Sequence, residues 1–171
     1  MIKEYNPFKT AIHRVKPSKP YQILTSKGLI NKSYKVIDYG CGYGYDVKYY
    51  NDLGYNIIGY DKYNKEYNNI NLNDKYDILT CNYVFNVLPY KKDMNKLLKD
   101  IKNLSDNIYI TVRADKKVIK DNWKYDEINN GYWTSKGTFQ RFYDEEMIKN
   151  QFGEVEYIIN GNEFKLFRLN K

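Results

Sequence analysis

Lys35-Val36-Ile37-Asp38-Tyr39-Gly40-Cys41-Gly42-Tyr43-Gly44-Tyr45-Asp46 decides how the rest of the chain is read. A short apolar run ends in an acid, glycines follow at alternate positions, and an amphipathic stretch begins. This order predicts a buried parallel strand, a tight loop and a helix start. The three glycines remove Cβ atoms where the backbone must turn and where a ligand must approach it closely. The helix entered at about Tyr45 points unpaired N–H groups and the positive end of its dipole at that ligand. A nucleotide-like cofactor is the expected occupant.

The spacing narrows the choice of cofactor. A dinucleotide fingerprint, G-x-G-x-x-G, would need a third glycine at position 45 or 47, where the chain has Tyr45 and Val47. The pattern here is G-x-G-x-G with Asp38 at the strand tip. A carboxylate there is awkward beside a pyrophosphate but suits the ammonium and sulfonium charges of S-adenosylmethionine.

Outward from this stretch, size and composition set the bounds. The 171 residues suit one domain, with 1–33 as an N-terminal arm and short helix and 113–142 as a substrate-side insertion. No apolar run is long enough to cross a bilayer, and Met1–Arg14 lacks a signal peptide's apolar centre, so a soluble, cytoplasmic protein with no membrane partner is expected. Cys41 and Cys81 are the only cysteines, which implies no disulfide framework and favours small reduced core residues. The net charge of +7 admits either a phosphate-binding face or the Lys-rich usage of an AT-rich genome. Arginine is scarce: only Arg14, Arg113, Arg141 and Arg168 occur, and a planar bidentate donor is a reason to keep one.

Toward the amino terminus, Thr10–Pro20 is basic and proline-stiffened, and reads either as a floppy leader or as an arm folded over the cleft. His13, the only histidine, reads as a surface or packing residue more readily than as a base. Tyr21–Lys27 is expected as a short helix stopped by Gly28.

Toward the carboxyl terminus, strands are expected at Tyr34–Tyr39, Tyr55–Tyr60, Tyr76–Asn82 and Asn107–Val112, with a weak edge strand at Asn69–Leu72. The helix after the glycine loop should place Val47, Tyr50 and Leu53 on one side. Asp61, after the second strand, is positioned to accept ribose hydroxyls or to be a plain loop aspartate. Met94, Leu97, Leu98, Ile101 and Leu104 mark an amphipathic helix over Lys91–Leu104. In the insertion, Thr134–Phe142 mixes aromatics, hydroxyls and cations, and reads as a substrate loop or as aromatic packing. A helix over Asp144–Gln151 and a hairpin turning at Asn160-Gly161 close the chain. The fold expected is three-layer α/β and Rossmann-like, with a mostly parallel sheet of seven or six strands and an antiparallel C-terminal hairpin.

The strand–GxGxG–helix unit, the acid after the second strand and the closing hairpin resemble class I S-adenosylmethionine-dependent methyltransferases over about Tyr34–Leu169. That resemblance implies S-adenosyl-L-methionine as cofactor. The Gly40-Cys41-Gly42 turn and Gly44 would hold its methionine part, Asp38 and Asp46 its amino group, and Asp61 its ribose, with Asn82 alongside. Thr10–Pro20, Asp38–Val47, Tyr83–Val87 and Thr134–Phe142 are further similar to methyltransferases associated with DNA phosphorothioation, the strings PSKP and TSKGTFQRF being distinctive.

Exocyclic-amine methyltransferases of DNA carry Asp/Asn-Pro-Pro-Tyr/Phe after the fourth strand, where the Asn accepts an N–H and the ring stacks on a flipped base. This chain reads Asn82-Tyr83-Val84-Phe85, without the prolines. Asn82 and Tyr83 are therefore expected either as a polar acceptor beside a stacking ring or as a structural pair, and with Arg113 they are the candidate catalytic residues. Arg14, Lys136, Thr138, Gln140 and Arg141 are the candidate substrate contacts, with Arg14, Arg113 and Arg141 forming an anionic-substrate pocket. No metal-ligand spacing occurs, so no metal is expected. The functions left open are a methyltransferase for a nucleic-acid or nucleotide-like acceptor, one for a small molecule, and a non-catalytic S-adenosylmethionine-binding subunit of a DNA-modification or defence system.

Overall fold

Four parallel strands set the frame, and their carboxyl ends meet on one edge. The computed structural model describes residues 5–71 and 73–170. In chain order its elements are α1 (Lys19–Ser26), β1 (Lys35–Tyr39), α2 (Tyr45–Asp52), β2 (Asn56–Tyr60), β3 (Ile78–Asn82), α3 (Lys91–Leu104), β4 (Ile108–Arg113), β5 (Lys124–Asp126), β6 (Gly131–Trp133), β7 (Phe139–Gln140), α4 (Glu145–Phe152), β8 (Val155–Asn160) and β9 (Phe164–Leu169). Short 3-10 turns lie at Pro7–Thr10, Phe85–Val87 and Lys116–Val118.

The main sheet runs β2-β1-β3-β4-β9-β8. Ile37 pairs with Ile58 on one side and Leu79 on the other, in parallel register. β9 lies antiparallel to β4, with Arg113 opposite Phe164. Successive strand residues feed opposite faces. Val36, Ile78 and Leu166 join Tyr21, Leu24, Val47 and Tyr50 on one face, beneath α1 and α2. Ile37, Leu79 and Phe167 join Leu97, Ile101 and Ile148 on the other, beneath α3 and α4. This is the three-layer, mainly parallel architecture expected. In α3, the apolar spacing puts Met94, Leu97, Ile101 and Leu104 in the core, each worth about 1.5–3 kcal/mol of burial.

Several expectations need correction. Of the two strand counts expected for the main sheet, six is the one found. The edge strand expected at Asn69–Leu72 is not formed by its described residues, and Leu72 lies outside them. That polar stretch satisfies its backbone locally instead: Asn64 N donates to Asp61 O, Tyr67 N to Asn64 O and Asp74 N to Asn71 O. Leu53 is half exposed at the end of α2, because that helix stops at Asp52 and only Val47 and Tyr50 turn inward with the core. The insertion is no bare loop either: β5, β6 and β7 form a separate antiparallel sheet, with Trp133 paired to Lys124 and Phe139. Among the described residues, no helix is long and apolar enough to cross a membrane.

Candidate active site

A cleft of about 1120 Å³ opens where the strand order reverses between β1 and β3. Open α/β sheets bind ligands at that switch point, because two loops there diverge and leave a crevice. Tyr39, Tyr60, Asn82 and Arg113, the last residues of β1 to β4, all line it.

On one side the glycine loop forms the wall. Gly40 sits at φ +83°, and a Cβ built there would lie 2.2 Å from Val84 Cγ2, so both its backbone and its neighbour require glycine. Its N–H donates to Tyr60 O at 2.7 Å, tying the loop to β2. Gly44 caps α2 in the left-handed region, and Asp46 occupies the first turn. Asp61 is held by two backbone donors: Gly42 N at 3.0 Å on one carboxylate oxygen and Tyr63 N at 2.9 Å on the other. Burial raises its pKa above the usual carboxylate value, and those N–H bonds oppose the rise.

Asp38 lies beneath this loop and does not itself line the cleft. Its Oδ1 accepts from the Thr80 hydroxyl at 2.9 Å, and Thr80 Oγ1 is 2.9 Å from Tyr21 OH, a buried chain of three side chains. Burial first, and then the charge of Asp46, push the Asp38 carboxyl up to about 8, against the Thr80 bond and Arg14. Cys41 lines the cleft, where burial pushes its thiol up and keeps it protonated, and Cys81 is fully buried.

The arm folds over the cleft rather than trailing away. Tyr5, Phe8, Ala11, Ile12, Arg14 and Lys16 line it from above. Ser18 N donates to Asp46 Oδ1 at 2.8 Å, His13 stacks on Tyr43 at 3.6 Å, and Ala11 Cβ would stand 3.4 Å from a Cβ on Gly42. His13 is thus a packing residue that fixes the arm against the loop.

The opposite side is built by the segments after β3 and β4. Tyr83 adopts φ +62°, which costs about 1–2 kcal/mol for a residue with a Cβ, and its N–H is held by Thr111 O at 2.8 Å. Its phenol is pushed up to about 12 by burial, while Arg14 and Arg113 pull it down. Asn82 Oδ1 accepts from the Thr111 hydroxyl at 2.7 Å, so its unpaired group is the Nδ2 donor. Of the two readings offered for Asn82, acceptor or structural residue, the Thr111 bond gives it a structural partner on Oδ1 and leaves Nδ2 as its free group.

Of the other expected substrate residues, Gln140 and Arg14 line the cleft, whereas Lys136, Thr138 and Arg141 do not. Arg141 is 4 % exposed and spends its guanidinium on the main chain, donating to Leu88 O at 2.8 Å, Pro89 O at 3.1 Å, Asn129 O at 2.6 Å and Asn130 O at 3.3 Å. It clamps the small sheet to the turn after β3 and is removed from the anionic pocket. Thr138 is buried against Thr134 at 2.7 Å, and Lys136 stands exposed on the turn closed by Gly137 N and Thr134 O.

Sequence reasoning missed Asn86. It is 1 % exposed, lines the cleft, accepts Arg113 N on Oδ1 at 3.0 Å and accepts Arg141 N on its main-chain oxygen at 2.7 Å. The signal available was a lone polar residue between Phe85 and Val87 in an apolar turn. No group of three or more His, Cys, Asp or Glu able to hold a metal occurs among the described residues.

Residues 10–157 match the family described as "Methyltransferase domain". No curated protein matches the sequence significantly. Among solved structures, the chain is similar to a SAM-dependent methyltransferase from Methanosarcina mazei (TM-score 0.63, 12% identity, covering 85% of this chain and 94% of that one). It is similar to 1,6-didemethyltoxoflavin-N1-methyltransferase from Burkholderia thailandensis, solved with 1,6-didemethyltoxoflavin and S-adenosylhomocysteine (TM-score 0.57, 12% identity, 89% and 76%). A third is the glycopeptide N-methyltransferase MtfA complexed with (S)-adenosyl-L-homocysteine (TM-score 0.57, 9% identity, 94% and 91%). At these identities the likeness is one of fold.

Proposed function

The chain belongs to the methyltransferase-domain family, whose donor is S-adenosylmethionine, and on that premise we propose that it methylates a small anionic acceptor bound beneath the N-terminal arm. The observation that carries this reading is the roof: with Tyr5, Phe8 and Ala11 over it, the cleft takes a nucleoside-sized cofactor and an acceptor of metabolite or mononucleotide size.

The residues present suit the donor. Asp46 and Asp61 place carboxylates beside a glycine loop whose close turns leave the backbone reachable, matching a cationic nucleoside better than a pyrophosphate. When bound, the cofactor supplies an electrophilic methyl on a sulfonium. Gly40–Gly44 and Asp61 hold it; Asp38 supports that wall from below through Thr80. Tyr83 keeps its proton at neutral pH and serves as a hydroxyl donor and ring surface, not a base. The chain's share of the work is positioning and exclusion of water, which suit an in-line displacement.

A nucleic-acid acceptor is the second reading, favoured by the net charge of +7 and by the likeness of PSKP and TSKGTFQRF to phosphorothioation-associated methyltransferases. Both strings do structural work here, PSKP leading into α1 and TSKGTFQRF carrying β7 and the Arg141 clamp. Incubation with radiolabelled methyl donor and separate metabolite, DNA and RNA pools tests the choice. Label is expected in the metabolite pool. Label in DNA or RNA overturns the small-acceptor reading, and donor binding without label in any pool favours a non-catalytic subunit.

A further inference from the structure

Resting on the small-acceptor reading, we infer that Asn86 is a specificity-determining residue whose side-chain amide, in a cleft also lined by Arg14 and Arg113, binds an oxyanion of the acceptor: a phosphate or a carboxylate. Three observations converge on it. First, the orientation of Asn86 is fixed, because the Arg113 N–H must meet Oδ1, and this leaves Nδ2 without a partner. A buried donor left unpaired is costly, and a ligand oxygen or an ordered water at the cleft relieves that cost. Second, Asn82, four residues earlier and also lining the cleft, has an unpaired, buried Nδ2 as well, so two neighbouring lining residues each carry an unanswered amide donor.

Third, Arg14 on the arm and Arg113 at the end of β4 line the same cleft, and neither guanidinium makes an ion pair or hydrogen bond among the described residues. Both act on the Tyr83 phenol, as do the carboxylates of Glu163 and Asp46. Those two carboxylates have partners of their own: Glu163 pairs with Lys19 Nζ at 2.8 Å, and Asp46 accepts from Ser18 N at 2.8 Å. A set of donors with two free positive charges fits an anion rather than a neutral or cationic group.

The test uses the full chain, labelled with nitrogen-15 and saturated with adenosylhomocysteine, titrated with inorganic phosphate and separately with acetate. The side-chain amide pair of Asn86, identified by its absence from the Asn86→Asp spectrum, is expected to shift with at least one anion. The tighter anion names the source. Asn86→Asp keeps the Oδ1 acceptor and replaces the donor with negative charge, so anion affinity is expected to fall about tenfold or more. A stationary Asn86 amide at saturating anion, or equal affinity in Asn86→Asp, overturns the assignment. Should that variant not fold, Arg14→Gln on the arm is expected to weaken anion binding about fivefold, and unchanged affinity overturns the assignment equally. If adenosylhomocysteine gives no calorimetric heat, the methyl-transfer reading fails on its own, and the anion titration of the free protein still decides the subsite.

Discussion

The two walls of the cleft are finished to different degrees. On the glycine-loop wall most polar groups answer one another: Asp61 holds Gly42 and Tyr63, Asp46 holds the Ser18 N–H, and Thr80 joins Asp38 to Tyr21, with the Ser18 hydroxyl left over. On the facing wall, Asn82 and Asn86 keep unpaired donors, and the Arg113 guanidinium has no ion pair or hydrogen bond among the described residues. The first wall is organised before its ligand arrives. The second leaves its polar groups for a partner to complete, and the completed contacts then carry selectivity.

The largest perturbation of this contrast is Gly40→Val. Its Cβ would meet Val84 Cγ2 at 2.2 Å at positive φ, joining both walls in one clash, so a loss of about 3 kcal/mol or more and of adenosylhomocysteine binding is expected by denaturant melts and calorimetry. Arg141→Met should cost about 3 kcal/mol, because it strands buried carbonyls, yet leave adenosylhomocysteine affinity within twofold. A matching loss of affinity would mean that the small sheet also governs the glycine-loop wall.

Asp38 sharpens the comparison through pH. Its folded pKa of about 8 lies above the ordinary 3.8, so the folded state holds a proton that the unfolded chain has released between those values. Stability of the free protein should therefore fall as pH rises from about 4 to about 8, by about 2 kcal/mol between pH 5 and 7, and Asp38→Asn should flatten the profile. The smallest effect expected is at Asp61→Asn, where one of two backbone donors loses its acceptor and the ribose contact weakens. Adenosylhomocysteine affinity should drop about tenfold with anion affinity unchanged.

Most of the sheet was legible because each parallel strand is an apolar run with its own stop, and α3 repeats its apolar residues at helical spacing. The glycine-loop wall was legible for a related reason: glycine spacing and strand-tip acids are local patterns, and local patterns survive in sequence. The facing wall was not. Arg141 and Asn86 exchange contacts across 55 positions, a pairing that no periodicity announces, and an arginine reads alike whether it meets a substrate or four backbone carbonyls. The small sheet was missed because its strands are two or three residues long, too short for alternation to register. Asn69–Leu72 erred in the opposite direction, alternation there being too brief to outweigh Asx-type turns at Asn64 and Asn71.

The arm's seating over Gly42, through Ala11 and the His13–Tyr43 stack, has a kinetic corollary. On the proposed methyl-transfer reading, lifting of that strap is expected to pace the release of spent cofactor and methylated product. Added viscogen should slow steady-state cycling while sparing the first round of catalysis, a separation visible as a burst.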